Sequence, residues 1–230
     1  MLDRQVQKIG SMKKTPEFIE LLRRDGQSDQ CWIATDGTRL RVRPIEPRDE
    51  SSMIDFHRSL SDETVYSRYF SWPKLSTRIL HERLSRICTP DPLDEVVLVA
   101  ETVRPDALSP IVAVARLCHG ASHRNAEAAL LITDSFQRRG LGAELLRRLF
   151  RIARNLGAVN LVAYFMPSNA AMRHLCINEG MSITDEPGGE SIANIALRSG
   201  ALFSAVDVAA PPTLPRNELG TACRPKTHQN

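Results

Sequence analysis

Gln137-Arg138-Arg139-Gly140-Leu141-Gly142 sets two glycines one residue apart, behind a glutamine and two arginines, at the mouth of an apolar-periodic stretch. Those residue types suit an anion. A helix N-terminus exposes N–H groups without intrahelical partners and carries about half a positive charge. Glycine there lets a phosphate come close to the backbone. Three readings are open: a phosphate cradle, an arm for nucleic acid, or a well-capped helix. Spacing separates the phosphate patterns. A P-loop needs GxxxxGK[ST], which the chain does not contain. A dinucleotide fingerprint, GxGxxG, would need glycine where Leu145 stands. It would also sit late, after runs that read as antiparallel strands. A third pattern, [QR]-x-x-G-x-[GA], is met at every position. Upstream, Glu127 is the only carboxylate on the body of the run "AEAALLITD".

The elements around these residues follow from periodicity. Leu141, Leu145, Leu146, Leu149, Ile152, Ala153 and Leu156 fall on one helical stripe, and Gly157 stands where a C-terminal cap belongs. Ala126 to Asp134 reads as a strand leading into the glycines. "NLVAYFM" reads as the next strand and "PSNAAMRHLCINEG" as a short helix closed by Gly180. Earlier, "TRLRVRPI" alternates with Leu40 and Val42 on one face. Two helices follow: one carries Met53, Phe56, His57 and Leu60, the other Leu75, Ile79, Leu80, Leu84 and Ile87 on a single stripe. "EVVLVAETV" and "PIVAVARLC" read as a hairpin, and "MSITDEP" with "SIANIALRS" as another. Strands run together and then alternate with helices, which predicts an α/β or α+β fold with a mixed sheet.

Composition excludes some classes. The 230 residues include 30 Lys and Arg against 27 Asp and Glu, a net charge of +3, too small to imply nucleic acid by itself. The longest apolar run, Val96 to Ala100, is far short of the roughly 20 residues of a spanning helix. Five scattered cysteines show no metal spacing, which predicts a cytoplasmic protein with reduced thiols and no metal. Residues 1–35 read as an N-terminal extension with a short helix in "TPEFIELLRR". Residues 36–202 read as one folded domain, and 203–230 as a Pro-rich disordered tail.

"LLITDSFQRRGLGAELL" and "SNAAMRHLCINEGM" together resemble the two signature motifs of the GNAT superfamily of N-acyltransferases, and the resemblance runs over roughly Thr38 to Ser199. It implies a GNAT-type mixed, mostly antiparallel central sheet flanked by helices on both faces. It also implies acetyl-CoA as acyl donor, with its pyrophosphate in the glycine loop. Within the superfamily, Tyr66, Arg68, Tyr69 and Phe70 in "LSDETVYSRYFSWPKLSTRILHERL" resemble the bacterial protein lysine acetyltransferase (Pat-like) branch. That implies N-acetylation of a primary amine, foremost a protein lysine. The alternatives are a small-molecule amine acceptor or a non-catalytic CoA-sensing module. Neither nucleic acid nor membrane is an expected partner, and a homodimer is left open.

Residue roles are carried over from the same resemblance. A lysine amine has a pKa near 10.4, so presenting it neutral at pH 7 costs roughly 4 to 5 kcal/mol. A positioned carboxylate can take that proton, and relatives place a Glu at the position of Glu127. Leu130 and Ile132 match positions whose main chain meets the acyl-pantetheine arm. Arg138, Gly140, Leu141, Gly142 and Ala143 would offer N–H groups to the pyrophosphate, with Gln137 and Arg139 adding side chains. Asn169 matches an Asn that contacts CoA, and also reads as a helix N-cap. Many members carry a general-acid Tyr where Cys176 stands here, which leaves that step unassigned. His119 and His123 fall in the turn before the Glu127 strand, near the expected acceptor side. Arg147, Arg148, Arg151 and Arg154 read mainly as the outer face of the long helix.

Overall fold

The computed structural model describes residues 31–91, 94–103, 109–119 and 125–197. The expected N-terminal helix and the C-terminal tail lie outside them. One eight-stranded sheet carries the fold, in the order β1-β2-β3-β4-β5-β6-β8-β7. Its strands are β1 (Trp32–Ile33), β2 (Arg39–Pro44), β3 (Glu95–Thr102), β4 (Ile111–His119), β5 (Asn125–Ile132), β6 (Asn160–Phe165), β7 (Ser182–Glu186) and β8 (Glu190–Ala196). Every neighbouring pair is antiparallel except β5–β6. That is the mixed, mostly antiparallel sheet expected from sequence.

Helices cover both faces. Between β2 and β3 come α1 (Glu50–Arg58), α2 (Asp62–Tyr69), α3 (Leu75–Arg78) and α4 (His81–Cys88). Met53, Phe56, Val65, Tyr69, Leu84 and Ile87 from these helices pack on Val97, Val99, Val114 and Leu131 of the sheet. On the other face lie α5 (Leu141–Asn155) and α6 (Ala170–Asn178). Leu145, Leu146, Leu149 and Ile152 of α5 are almost fully buried against Leu98, Ala115, Leu117 and Ala128. The period-2 pleat of the strands produces this split, since successive side chains leave a strand on opposite faces.

The single helical stripe expected from Leu75 to Ile87 is not continuous. Leu80 adopts an extended backbone (φ −56°, ψ 131°) as the cap of α4, so the helical phase restarts there. Leu84 and Ile87 are buried, while Leu75 and Leu80 stay exposed. The final hairpin forms as read from sequence, and its second strand, β8, inserts beside β6 and leaves β7 at the edge. Among the described residues Cys31, Cys88 and Cys176 are free thiols. Among the described residues no helix is long and apolar enough to cross a membrane.

Candidate active site

The one parallel pairing is short. Asn125, Ala126 and Glu127 of β5 pair with Asn160, Leu161 and Val162 of β6. The Asn160 amide donates to the Asn125 side chain at 3.1 Å and clamps the start of the ladder. Past Glu127 the two strands diverge. β5 continues to Ile132 against β4 alone, while β6 continues to Phe165 against β8. A wedge therefore opens between them, edged by main-chain groups of Ala128 to Ile132 that have no β6 partner. Leu130 and Ile132 lie along this edge. The Ile132 carbonyl accepts a hydrogen bond from the Gln137 side-chain amide at 3.1 Å. Glu127 stands at the last paired rung and is only 6% exposed. It is opposite Cys118 on β4, on the face covered by α1, α2 and α4.

The glycine loop closes the wide end of the wedge. After β5, a 3-10 turn at Asp134–Phe136 leads to Gln137 in extended conformation. Arg138 and Gly140 both take positive φ, 57° and 83°. Gly140 is the N-cap of α5, and no side chain caps this end. The first N–H groups of the helix, on Leu141, Gly142 and Ala143, are left for a ligand. Gly142 serves packing as well: a Cβ there would lie 3.2 Å from the Leu175 side chain of α6. Arg139 pairs with Asp36 and lies over the Phe136 ring, 4.9 Å from its centroid. It is thus held by protein groups, and Arg138 is the exposed arginine of the loop. Gln137 turns inward, donating to Thr64 Oγ1 at 2.9 Å. Asp134 accepts from Ser61 N–H at 3.0 Å, from the Ser61 hydroxyl at 2.6 Å and from the Thr64 hydroxyl at 2.8 Å. Burial pushes the Asp134 carboxyl up, but these donors outweigh it and hold it below the usual carboxylate range. The loop is thereby tied to the start of α2.

On the Glu127 face, α1, α2 and α4 enclose a cavity against β4 and β5, lined in part by His57, Arg68, Tyr69, Arg83, Arg116 and Ala129. Ala129 follows Glu127 on the same face, so the cavity begins about 7 Å along the strand from it. Burial lowers the pKa of the Arg68 guanidinium, as do Arg116 and Arg83, while Tyr69 and Glu127 oppose the shift. Arg116 is paired with Glu95.

A family model described as "Acetyltransferase (GNAT) domain" matches residues 39–182, well over half of the chain. The chain belongs to the GNAT acetyltransferases. Acetyl-CoA is accordingly its acyl donor. The chain is 33% identical over 135 residues to Acetyltransferase Pat of Mycolicibacterium smegmatis, covering 58% of this chain and 38% of that protein. The chain thus spans well under half of that relative's length. The solved GNAT domain of S. lividans PAT matches with a TM-score of 0.64 at 26% identity, over 73% of this chain and 96% of that one. A Salmonella typhimurium protein solved with acetyl-CoA shares the fold at a TM-score of 0.52 and 20% identity, over 72% and 98% of the two chains.

Other residues of this GNAT domain fall less simply. The Asn169 side chain caps α6, accepting from Met172 N–H at 2.9 Å. Cys176 is fully buried, and burial pushes its thiol up to about 12, which makes it neither a nucleophile nor a ready acid. His119 belongs to β4 rather than to the preceding turn and pairs with Ala126, so it faces away from the Glu127 side. His123 lies outside the described residues. Arg148 is buried and paired with Glu144, not part of the outer helix face. Arg147 makes two hydrogen bonds to Glu179, at 2.9 and 2.7 Å. Sequence reasoning missed the Asp134–Ser61–Thr64 tie and the seat of β1 on the loop. Trp32 would lie 3.5 Å from a Cβ at Gly140, and Thr35 N–H donates to the Arg139 carbonyl at 3.3 Å. The polar string Ser61-Asp62-Glu63-Thr64 did carry an N-cap signal that could have flagged the first of these.

Proposed function

We propose that this GNAT enzyme acetylates a protein lysine, with Glu127 as the general base. The observation that carries the assignment is the position of Glu127. It is a buried carboxylate at the last rung before β5 and β6 part, on the helix-covered face of the sheet. A lysine amine entering on that face gives up a proton to Glu127, directly or through one water. The amine nitrogen attacks the thioester carbon, and the charge on the carbonyl oxygen is met by a main-chain N–H on the open edge of β5 near Leu130. The C–S bond then breaks, and the CoA thiolate leaves and is protonated. Arg138 and the N–H groups of Gly140, Leu141, Gly142 and Ala143 hold the pyrophosphate, with Ile132 lining the pantetheine path. Gln137 and Arg139 act by positioning this loop, and Asn169 orders the start of α6 beside the wedge. The lysine acceptor rests on the Pat-like segment Tyr66–Phe70 and on the likeness to proteins named Pat.

The test is transfer of labelled acetyl groups from acetyl-CoA to proteins in a cell lysate, comparing wild type with Glu127→Gln and Gly140→Asp. Label on protein lysines that is lost in both variants supports the reading. Label confined to small amines overturns the protein acceptor. Undiminished labelling by Glu127→Gln overturns the base.

A further inference from the structure

The cavity beside Glu127 holds more positive charge than its own residues neutralise. Arg116 has Glu95 as an ion-pair partner, and Arg68 is electrostatically coupled to Glu127. Arg83 has neutral partners: it donates to the Tyr69 hydroxyl at 2.9 Å and to the Arg78 carbonyl at 2.8 Å, with His57 Nε2 at 3.4 Å. Arg78, behind it and 7% exposed, donates to the carbonyls of His57 and Pro73. Among the described residues neither arginine forms an ion pair. His57 is 2% exposed, and its Nδ1 is buried without a hydrogen-bond partner. Because a guanidinium can only donate, Nε2 is the acceptor toward Arg83 and the proton sits on Nδ1. Burial, then Arg83 and Arg78, push His57 down to about 3, so the ring stays neutral. The site thus offers donors and a net positive charge. A guanidinium in a partly buried site without a counter-ion leaves positive charge that an anionic ligand can neutralise.

We propose that this cavity is a carboxylate subsite of the acyl-transfer centre, with Arg83 as its anchor. The planar fork of arginine matches a carboxylate. Met53, Phe56 and Leu131 supply the cavity's apolar walls. The carboxylate arrives from one of two sources: the far end of a dicarboxylic acyl chain on CoA, or an Asp or Glu side chain next to the acceptor amine. The subsite rests on the reading that acyl transfer takes place beside Glu127, since the cavity continues the same face of β5.

The experiment compares matched pairs on the full chain. In the donor arm, dissociation constants for succinyl-CoA and butyryl-CoA are measured by calorimetry, and CoA release is followed with one common amine. In the acceptor arm, acetyl transfer is followed to lysine peptides that differ only in a neighbouring Asp or Asn. Each pair is run on wild type, Arg83→Met and Arg83→Lys, with folding checked by thermal melting. The expected result is a preference of about 10- to 100-fold for the carboxylate member in one arm, the size of a charge-assisted hydrogen bond. The ratio collapses toward one in Arg83→Met and is partly kept in Arg83→Lys. Equal use of both members in both arms by wild type overturns the proposal, whether or not the variants fold. So does a preference that survives in folded Arg83→Met. The calorimetric arm needs no base, so full activity of Glu127→Gln would remove the base assignment without touching this result.

Discussion

Acidification is a direct probe of the neutral His57. Its pKa falls from an ordinary 6.5 to about 3 in the folded chain, chiefly through burial and then through Arg83 and Arg78. Between those values the unfolded chain binds a proton that the folded chain does not. Stability therefore rises with pH across that window, and it is lost as pH falls from 6.5 toward 3. Integrating the linkage from pH 7 to pH 5 gives a loss of about 2 kcal/mol. The depressed carboxylates, Asp49 and Asp134 among them, act below about pH 4.5 and do not mask it. Urea unfolding at pH 7, 6 and 5 measures the effect in wild type and in His57→Gln. The variant is expected to be less stable at pH 7 but much flatter across the window. A wild-type loss under about 0.5 kcal/mol, or an equal slope in His57→Gln, would refute a buried neutral histidine in a field of arginines.

Two further predictions concern the glycine loop. Gly140→Ala forces a side chain into φ +83° without a clash, since its Cβ meets Trp32 at 3.5 Å. The left-handed backbone costs about 1 to 2 kcal/mol, so calorimetry is expected to show Tm lowered by about 2 to 8 °C. Asp134→Ala removes the acceptor for Ser61 and Thr64. The carboxylate is exposed, so screening limits the stability loss in chemical denaturation to about 1 kcal/mol. The KM for acetyl-CoA is expected to rise as the loop loses its tie to α2.

Local rules made the centre of the fold legible. The apolar stripe of α5 and the capping glycine at its end are one-dimensional signals, and Leu145, Leu149 and Ile152 are buried as their spacing predicts. The glycine loop was legible as well, because Gly140 and Gly142 stand directly before that stripe. Non-local pairing was not legible. Nothing in "MSITDEP" or "SIANIALRS" says which strand docks on β6, because both edges offer the same backbone groups. Leu75 and Leu80 were misread because a helical stripe carries no mark of a phase break. Arg148 was misread as solvated because Glu144, one turn before it, supplies the charge that lets it be buried. The arginine cavity was invisible for a different reason. Arg68, Arg83 and Arg116 come from α2, α4 and β4, and only packing brings them together.

The most direct test of Glu127 as the base separates chemistry from binding. Glu127→Gln keeps the size of the side chain and removes its basicity. It is expected to lower kcat for acetyl transfer by at least about 100-fold at pH 7. The dissociation constant for acetyl-CoA, whose pyrophosphate the proposal assigns to the glycine loop rather than to Glu127, is expected to change by no more than about twofold. Undiminished kcat in Glu127→Gln, or a loss of activity matched by an equal loss of acetyl-CoA binding, would contradict the assignment.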